Sequence, residues 1–444
     1  MKKVTLLFLS LWIVLPVNSA FAQTDNRLAW WQEARFGMFI HFGAYAVPAR
    51  GEWVKNRESL TTQQYQKYID AFNPTDYDPK KWAKLAKQAG MKYAVMTAKH
   101  HDGYCLYDSK LTDYKYKQRD LIREFLEAFR AEGLKVGLYY SVLDWHHPDY
   151  PHYGDVMHPQ RDNPTFKDTK HNWDNYLTYL HGQVRELVTG YGKIDVMWFD
   201  FSYGDMKGEK WKAKELVGML RKHQPHIILN NRLMGDGTGK IGDASALGDF
   251  ETPEQGVPEE PRRNAAGTTV PWETCLTLNN NWGYHANDQQ WKSPELVIHS
   301  LVNCVSKNGN LLLNIGPDAK GNIPTQSVAI LQEVGEWLQR NGASIYGCGA
   351  TQIPKPAWGR FTQKGNKLYA HVLHPHIGHI NIKDYQDKVL RAKVLTNGAE
   401  AYIENTWWGD PTTNNVYINI QKPTYQHYNL PDKTDTVYEI ELKK

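Results

Sequence analysis

Two acidic residues have the types and positions needed for bond-breaking chemistry in this chain of 444 residues. Asp200 closes the apolar run "IDVMWFD" (194–200), and Glu254 lies in "GDFETPEQ" (248–255). A carboxylate at the end of an apolar run either pairs with an arginine or takes part in a reaction. Two carboxylates facing each other are what a glycosidase needs, one as nucleophile or base and one as general acid. The sequence predicts this pair but not its separation.

A double histidine, His100–His101, lies in "TAKHHDGY" (97–104). One hypothesis is a metal site, to which His146 and His147 would add ligands. However, the HExxH pattern is absent, and adjacent residues on a strand point to opposite faces. Both histidines can reach one ligand only where a strand gives way to a loop. We therefore expect no metal and no other cofactor, and hydrogen bonding to a polar ligand is the alternative role.

The apolar runs that precede these residues predict the framework. Short apolar runs alternate with longer amphipathic stretches from about Phe36 to Gly342, and most are continuously apolar, as strands buried on both faces should be. The predicted strands are "FGMFIH" (36–41), "KYAVMTA" (92–98), "KVGLYYS" (135–141), "IDVMWFD" (194–200), "HIILNN" (226–231), "ALGDF" (246–250), "WETCLTL" (272–278) and "NLLLNIG" (310–316).

Helical stretches separate most of these strands, and several end in glycine, the expected residue after a helix C-terminus. Repeated β–α units with about eight strands predict a (β/α)₈ TIM-like barrel. Helical patterns are weak after the fifth, sixth and seventh strands, so that part of the barrel should be irregular. A doubly wound open sheet is the alternative, but no GxGxxG follows the first strand.

The pattern changes after about Ile345. Short strands such as "NKLYAHVLH" and "VYEIELKK" are separated by Gly, Pro and Asn turns, which is typical of a small all-β domain, expected to be a sandwich. We predict a barrel domain over 23–345 and a C-terminal β-sandwich domain over 346–444.

The first 22 residues have the pattern of a secretory signal. Lys2 and Lys3 give the positive start, Val4 to Val17 the apolar run, and Ala20-Phe21-Ala22 a cleavage site before Gln23. The apolar run is too short for a membrane span. We expect an exported protein, periplasmic or secreted.

Composition narrows the class of partner. The net charge of +4 is small for this length, so nucleic acid is a poor candidate. The four cysteines show no CxxC spacing, which disfavours a zinc knuckle. Aromatic residues make up 12% of the chain, and their flat rings suit both cores and the faces of sugars.

Polar residues recur at the predicted strand ends. A barrel concentrates its chemistry at the C-terminal ends of its strands, so these side chains should line one aromatic-walled pocket. In strand order they are His41 with Glu52 and Trp53 in its loop, His100 and His101, Tyr140, Trp198 with Asp200, Asn231 with Arg232, and Asp249 with Glu251 and Glu254.

Six segments in order resemble the family 29 glycoside hydrolases, the α-L-fucosidases, from about Trp30 to Tyr346. They are "ARFGMFIHFGAYAVPARGEW", "KHHDGYCLYDS", "GLYYSVLDW", "DVMWFDF", "DFETPEQ" and "VSKNGNLLLNIGPDAKGNIP". The resemblance implies a (β/α)₈-like catalytic domain and an exo-acting enzyme that removes terminal α-L-fucose from fucosylated oligosaccharides or glycoconjugates by a retaining double displacement.

The resemblance also implies residue roles. Asp200 matches the nucleophile and Glu254 the acid/base, with Glu251 as the second choice because that loop varies within the family. The implied sugar-contacting residues are His41, Glu52, Trp53, His100, His101, Tyr140, Trp198 and Arg232. Two other classes stay open, a non-catalytic carbohydrate-binding protein and a metal-dependent hydrolase using the double histidine. Linkage preference and oligomeric state are not predicted.

Overall fold

A computed structural model describes residues 26–235, 247–264, 267–376, 380–405, 414–419 and 430–443. The predicted signal, 1–22, and the first residue of the predicted sixth strand, Ala246, lie outside the described residues.

A parallel sheet of seven strands forms the first domain, in the order β5-β4-β3-β2-β1-β7-β6. Nearly every strand residue is buried, as expected for strands covered on both faces. The strands are β1 (Phe36–Ile40), β2 (Tyr93–Lys99), β3 (Lys135–Ser141), β4 (Val196–Asp200), β5 (Ile228–Leu229), β6 (Glu273–Thr277) and β7 (Asn310–Ile315).

Isolated bridges connect the two edges of this sheet. Asn230 pairs with Phe250 beyond β5, and Glu251 pairs with Trp272 just before β6. The ring therefore closes through an eighth position that is reduced to single bridges. The predicted TIM-like barrel is confirmed as a barrel-like parallel sheet, and it is irregular where the helical pattern was weak. The predicted sixth strand is shorter than expected because Gly248 adds no side chain to the core and Asp249 pairs with Arg27 and Arg221, which leaves Phe250 as the bridging residue among 247–250.

The helices cover the outside of the barrel, and several begin at side chains that cap the free backbone N–H groups. Thr61 and Gln64 form a capping box, while Asp78, Asp120 and Ser293 accept from the first turns of other helices. The helices are α1 (Ala29–Ala34), α2 (Val54–Arg57), α3 (Thr62–Ala71), α4 (Pro79–Gln88), α5 (Leu121–Ala131), α6 (Trp173–Gly190), α7 (Ala213–His223), α8 (Pro294–Val305) and α9 (Thr325–Asn341). Within the described ranges, none is long and apolar enough to cross a membrane.

Two apolar clusters sort the barrel residues by strand alternation. Met38 and Ile40 of β1 pack outward in the cluster shared with the helices. Phe39 of the same strand packs inward, with Tyr139 and Trp198. The interior of the barrel is therefore a column of aromatic side chains, which forms the floor of anything bound above it.

The second domain is antiparallel, with strands in the order β10-β13-β12-β11-β14-β9-β8. Only two residue pairs join β11 to β12, so the sheet divides into three-stranded and four-stranded parts. Ile380 and Ile418 of the first part share one apolar cluster with Leu368 and Ile440 of the second, as a sandwich requires. The strands are β8 (Gly359–Lys364), β9 (Lys367–Val372), β10 (Ile380–Ile382), β11 (Val389–Val394), β12 (Glu400–Glu404), β13 (Val416–Asn419) and β14 (Thr436–Leu442).

Replacement by alanine should have opposite effects on stability at two helical glycines. One glycine lies in the contact between α9 and α4, and the other lies in α7 with open space beside it. A Cβ at Gly335 would lie 2.2 Å from the carbonyl oxygen of Gln88, so Gly335→Ala should lower the free energy of unfolding by about 1–3 kcal/mol. Gly218 of α7 has nothing within 4 Å of its Cβ position, so Gly218→Ala should raise it by about 0.5–1 kcal/mol. Urea denaturation of both variants tests this. A stabilised Gly335→Ala protein would show that the two helices do not pack this closely.

Candidate active site

A pocket of about 100 Å³ opens at the C-terminal ends of the barrel strands. It brings together eight of the predicted residues, while Glu52, Tyr140, Asn231, Asp249 and Glu251 lie outside its lining. Its lining is Phe39, His41, Trp53, His100, His101, Tyr139, Trp198, Asp200, Phe201, Arg232, Glu254, Cys275 and Trp282. Charged groups and aromatic rings therefore share one small space, as the strand-end pattern predicted.

The guanidinium of Arg232 lies between the two candidate carboxylates. Its Nη1 donates to Asp200 Oδ1 at 3.0 Å and its Nη2 to Glu254 Oε2 at 2.7 Å. The same group lies over the Trp198 ring, 4.5 Å from the centroid. The Asp200 side chain is 11% exposed and that of Glu254 40%, so one carboxylate lies deep in the pocket and the other at its mouth.

Asp200 carries its charge in a largely dry environment. Burial raises the pKa of Asp200, while Arg232 and a hydrogen bond donated by the Tyr139 hydroxyl at 2.8 Å oppose that increase. His101 Nε2 lies 3.8 Å from Asp200 Oδ2. A carboxylate held this way is poorly solvated and fixed in direction, two properties that favour nucleophilic attack.

The three pocket histidines are held neutral. Burial lowers the pKa of His41 and of His101 to about 3, and that of His100 well below its usual value. Asn314 Oδ1 lies 2.7 Å from His41 Nδ1, and Ser141 Oγ lies 2.6 Å from His101 Nδ1, so two of the rings are oriented. His100 Nδ1 is buried with no hydrogen-bond partner among the described residues. Neutral imidazoles can donate and accept, which suits the hydroxyl groups of a ligand.

The carboxylates next to the double histidine face away from it. Asp102 accepts from the Tyr65 hydroxyl at 2.9 Å, and Asp144 pairs with Lys99 at 2.9 Å. Burial opposes the charge of Asp144, but Lys99 outweighs it and lowers the pKa of Asp144 to about 2. In the part of the chain that the structure describes, no three His, Cys, Asp or Glu side chains converge as metal ligands.

Tyr140 does not reach the pocket, which corrects its predicted place there. Its hydroxyl donates to Gln183 Oε1 at 2.8 Å on the outer side of the barrel. Tyr139 points inward instead, because β3 pairs Tyr139 with Trp198 and paired residues share a face of the sheet. The predicted strand was right, and the face assigned to its last tyrosine was wrong.

Glu52 also lies outside the pocket lining, and its role is indirect. Its carboxylate accepts from the Gly283 backbone N–H at 2.8 Å and is 3% exposed. Burial raises the pKa of Glu52, and the backbone N–H groups of the Trp282–Gly283 segment oppose the rise. Glu52 therefore fixes the segment that carries Trp282 into the pocket.

The geometry separates the two candidate acids on the loop before β6. Glu251 is buried against Arg262 at 2.5 Å and does not line the pocket. Glu254 does line it and contacts Arg232. Glu254 is thus the carboxylate placed to meet a ligand above Asp200.

Five lining residues were not predicted: Phe39, Tyr139, Phe201, Cys275 and Trp282. Phe39 lies two residues before His41 on β1, so the period of two along a strand could have identified it. Trp282 lies on a loop, and no local pattern indicates that its ring packs 5.1 Å from that of His41.

Glu273 lies buried in the barrel interior and is linked to the pocket by Trp198. Its carboxylate accepts from the Tyr93 hydroxyl, from Trp31 Nε1 at 3.2 Å and from Trp198 Nε1 at 3.4 Å. Burial raises the pKa of Glu273 to about 7, despite these donors. The charge on this group therefore depends on pH near neutrality.

Comparisons with known sequences point to one family. A sequence model of the family described as "Alpha-L-fucosidase" matches residues 16–343. The tissue alpha-L-fucosidase of Bos taurus is 30% identical over 389 residues, which cover 80% of this chain and 76% of the relative. The alpha-L-fucosidase of Dictyostelium discoideum is 28% identical and covers 96% of this chain and 97% of its own.

Solved structures give the same result. Alpha-L-fucosidase isoenzyme 1 from Paenibacillus thiaminolyticus has a TM-score of 0.90 at 54% identity, covering 95% of this chain and 99% of its own. A family 29 alpha-L-fucosidase from Bacteroides thetaiotaomicron has a TM-score of 0.81 at 30% identity, covering 95% and 97%. That relative was crystallised as a trapped covalent intermediate in complex with 2-fluoro-fucosyl fluoride.

The buried carboxyl of Glu273 predicts a pH-dependent stability. Its folded-state pKa of about 7 exceeds the ordinary value of 4.5, so the folded protein binds more protons between these limits. The contribution of Glu273 to the free energy of unfolding is complete below about pH 4 and is lost as pH rises through 7. The change is about 3 kcal/mol. From pH 4.5 to pH 8, the free energy of unfolding of the wild type should therefore fall by about that amount through Glu273. Glu273→Gln, which mimics the neutral acid, should not show this fall. Urea denaturation at both pH values measures the difference; equal pH dependence in the two proteins would contradict it.

Proposed function

The chain belongs to the α-L-fucosidase family, family 29 of the glycoside hydrolases, and from this premise we propose that it is an exo-acting enzyme that releases terminal α-L-fucose with retention of anomeric configuration. Membership makes it a glycoside hydrolase. The retaining course of the reaction and the roles of Asp200 and Glu254 in it are what we propose.

The observation that carries the proposal is the pair of carboxylates on one guanidinium. Asp200 lies deep in the pocket, largely shielded from water, and Glu254 lies at its mouth, where a leaving group would depart. A retaining glycosidase needs one carboxylate below the anomeric carbon and a second beside the glycosidic oxygen. The trapped covalent intermediate of the Bacteroides relative supports the same course.

In the first step, an Asp200 oxygen attacks the anomeric carbon while Glu254 gives its proton to the glycosidic oxygen. The bond to the leaving alcohol breaks, and a fucosyl ester forms on Asp200 with inverted configuration. The Tyr139 hydroxyl and Arg232 hold the carboxylate in place. Formation of the ester neutralises Asp200. This change is favourable because burial disfavours the charged carboxylate, as its raised pKa indicates.

In the second step, the ionised Glu254 takes a proton from water, whose oxygen attacks the same carbon. The ester bond to Asp200 breaks, and fucose leaves with its original configuration. Glu254 at 40% exposure is open to both the leaving alcohol and the incoming water. Its acid and base roles thus need no movement of the barrel.

The shape of the pocket favours a single terminal sugar. The pocket is the smaller of the two cavities at this end of the barrel, about 100 Å³ against about 320 Å³, and its floor is closed by aromatic side chains, which suits one terminal residue better than an internal stretch of a glycan. The neutral histidines can donate to and accept from ring hydroxyls, and the Trp282 and Phe39 rings, 5.8 Å apart, offer an apolar wall for the 6-methyl group of fucose. Fucosylated oligosaccharides or glycoconjugates are the proposed substrates, and the amino-terminal pattern leads us to propose export to them.

Removing the two carboxylates should have different consequences. Asp200→Ala should lower kcat/KM for an aryl α-L-fucoside by about 10⁴-fold or more, because no covalent intermediate can form. Glu254→Ala should slow chiefly the second step when the leaving group is good, since water then lacks its base. Steady-state kinetics with 2,4-dinitrophenyl α-L-fucoside measures both. Near wild-type turnover by Asp200→Ala would reject the mechanism.

Azide distinguishes the roles and offers a matched control. Azide needs no base, so it should restore turnover of Glu254→Ala and give α-fucosyl azide, whereas with Asp200→Ala it should give the β-azide by direct attack. Glu251→Ala is the control, because Glu251 lies outside the pocket against Arg262. If azide rescued Glu251→Ala instead, the acid/base assignment would move to Glu251.

Neighbouring tyrosines supply a second matched pair. Tyr139→Phe removes the hydroxyl that stabilises charged Asp200, so the pKa of Asp200 should rise further and the acidic limb of kcat/KM should move to higher pH. The loss of one hydrogen bond to a charged group should cost about 10-fold or more in kcat/KM. Tyr140→Phe loses only its contact with Gln183, and its pH profile should match wild type. A shifted limb in Tyr140→Phe with none in Tyr139→Phe would reverse the structural assignment.

A further inference from the structure

A second cavity, of about 320 Å³, lies on the same end of the barrel and shares no lining residue with the candidate active site. Three segments form it: the loop after β6 (278–291), the end of β7 at Asn314 and Gly316, and the turn that leads into α9 (318–327). Its volume is within the range of small-molecule sites. Nothing in the proposed mechanism uses it.

The wall between the two cavities is one loop thick. The ring of Trp282 faces the active-site pocket, 5.1 Å from that of His41, while the backbone carbonyl of Trp282 accepts from Asn314 Nδ2 at 2.8 Å. A Cβ at Gly316 would lie 2.7 Å from that carbonyl oxygen, so the glycine permits the close contact. Only this loop then separates a sugar in the first pocket from the second cavity.

Hydrogen bonds within its loops hold the second cavity in shape. Asp288 accepts from the Asn280 N–H at 2.8 Å and from Asn281 Nδ2 at 2.7 Å, which fixes the loop after β6. Asp318 accepts from the backbone N–H groups of Lys320 and Asn322, each at 2.9 Å, which fixes the turn before α9. Both carboxylates are therefore committed to their own loops.

The groups that remain for a ligand include donors and acceptors. Within the described residues, Asn281 Nδ2 donates to Asp288, and Asn279 Oδ1 accepts from the backbone N–H of Asn281. The Oδ1 atom of Asn281 and the NH₂ group of Asn279 therefore remain for a ligand. The Trp291 ring lines the cavity, while its Nε1 atom is enclosed by protein. Gln326, in the first turn of α9, is at the lip.

These groups select among ligand classes. Among the described residues, the lining contains no lysine or arginine, which disfavours an anion. Its two aspartates already accept from several donors, which disfavours a metal cation. Sugar hydroxyls both donate and accept, and the Trp291 and Tyr284 rings add amphipathic surface of the kind that covers a sugar face. A neutral sugar is the ligand class that satisfies all of these groups.

We propose that this cavity is a second sugar-binding site, which holds a neutral sugar residue of the substrate glycan other than the terminal fucose. The proposal rests on the proposed function, because it takes the substrate to be a fucosylated glycan. Its consequence is a preference for longer substrates, expressed in KM, that an aryl fucoside cannot show.

Kinetics on short and long substrates test the site. Gln326→Ala removes an amide that lines the cavity, and Trp291→Phe reduces the aromatic surface of its wall. Gln332→Ala removes an exposed glutamine elsewhere on α9. The first two should raise KM for fucosylated milk oligosaccharides of three to six residues by about 3- to 10-fold. Their kcat/KM for the aryl fucoside should stay within twofold of wild type. Gln332→Ala should match wild type on both substrates.

Two outcomes overturn different claims. Wild-type KM for the oligosaccharides in both cavity variants overturns the second site and leaves the fucosidase proposal intact. Failure of the wild type to hydrolyse the aryl fucoside overturns the proposed function itself. Saturation-transfer NMR with lactose and N-acetyllactosamine then tests the cavity without catalysis: signals that weaken in Trp291→Phe and persist in Gln332→Ala support the site, and their absence in wild type overturns it.

Discussion

The buried guanidinium of Arg232 is the group on which the site depends. Two carboxylates in a small, largely dry pocket would repel each other, and at least one would hold its proton. Arg232, with a side chain 5% exposed, lies between Asp200 and Glu254 and donates to both, although its single charge balances only one negative charge. Because the Trp198 ring lies under this guanidinium, the floor of the pocket also fixes where the two carboxylates lie. The positions of nucleophile and acid/base in the proposed mechanism are therefore set by one cation.

The irregular part of the barrel is what gives Arg232 this reach. The position of a sixth strand is reduced to single bridges at Phe250, Glu251 and Glu254, and the last of these holds the chain beside Cys275 of β6. Arg232 Nε donates to Thr252 Oγ1 at 2.9 Å, which ties this segment to the end of β5, and Arg232 Nη2 donates to Glu254 at 2.7 Å. The departure from regular architecture thus positions the more exposed of the two acids.

The sequence predicted the elements well and the directions of some side chains less well. Continuously apolar runs identified the buried strands, and polar strand ends identified the two acids, the histidines and Arg232. Tyr140 failed because "LYYS" gives no preference between its two tyrosines, and only pairing with Trp198 on β4 turns Tyr139 inward. The place of Glu52 was predicted wrongly and Trp282 was missed for a different reason. Their contact joins segments 230 residues apart in the chain, which no local pattern encodes. The barrel could be predicted from periodicity, whereas the loop that completes the pocket depends on tertiary contacts.

That loop also links the two cavities. Glu52 accepts from the Gly283 N–H and Asn314 holds the carbonyl of Trp282, so the backbone of this turn is fixed from both sides. Asn314 is at the same time the partner of His41, whose ring faces the active-site pocket. Any ligand that moves the turn in the second cavity must therefore move Trp282 or strain its hydrogen bonds. Because hydrogen bonds hold this turn from both sides, we expect it to act as a rigid wall, so that binding energy gained in the second cavity adds to substrate affinity without altering the geometry around Asp200.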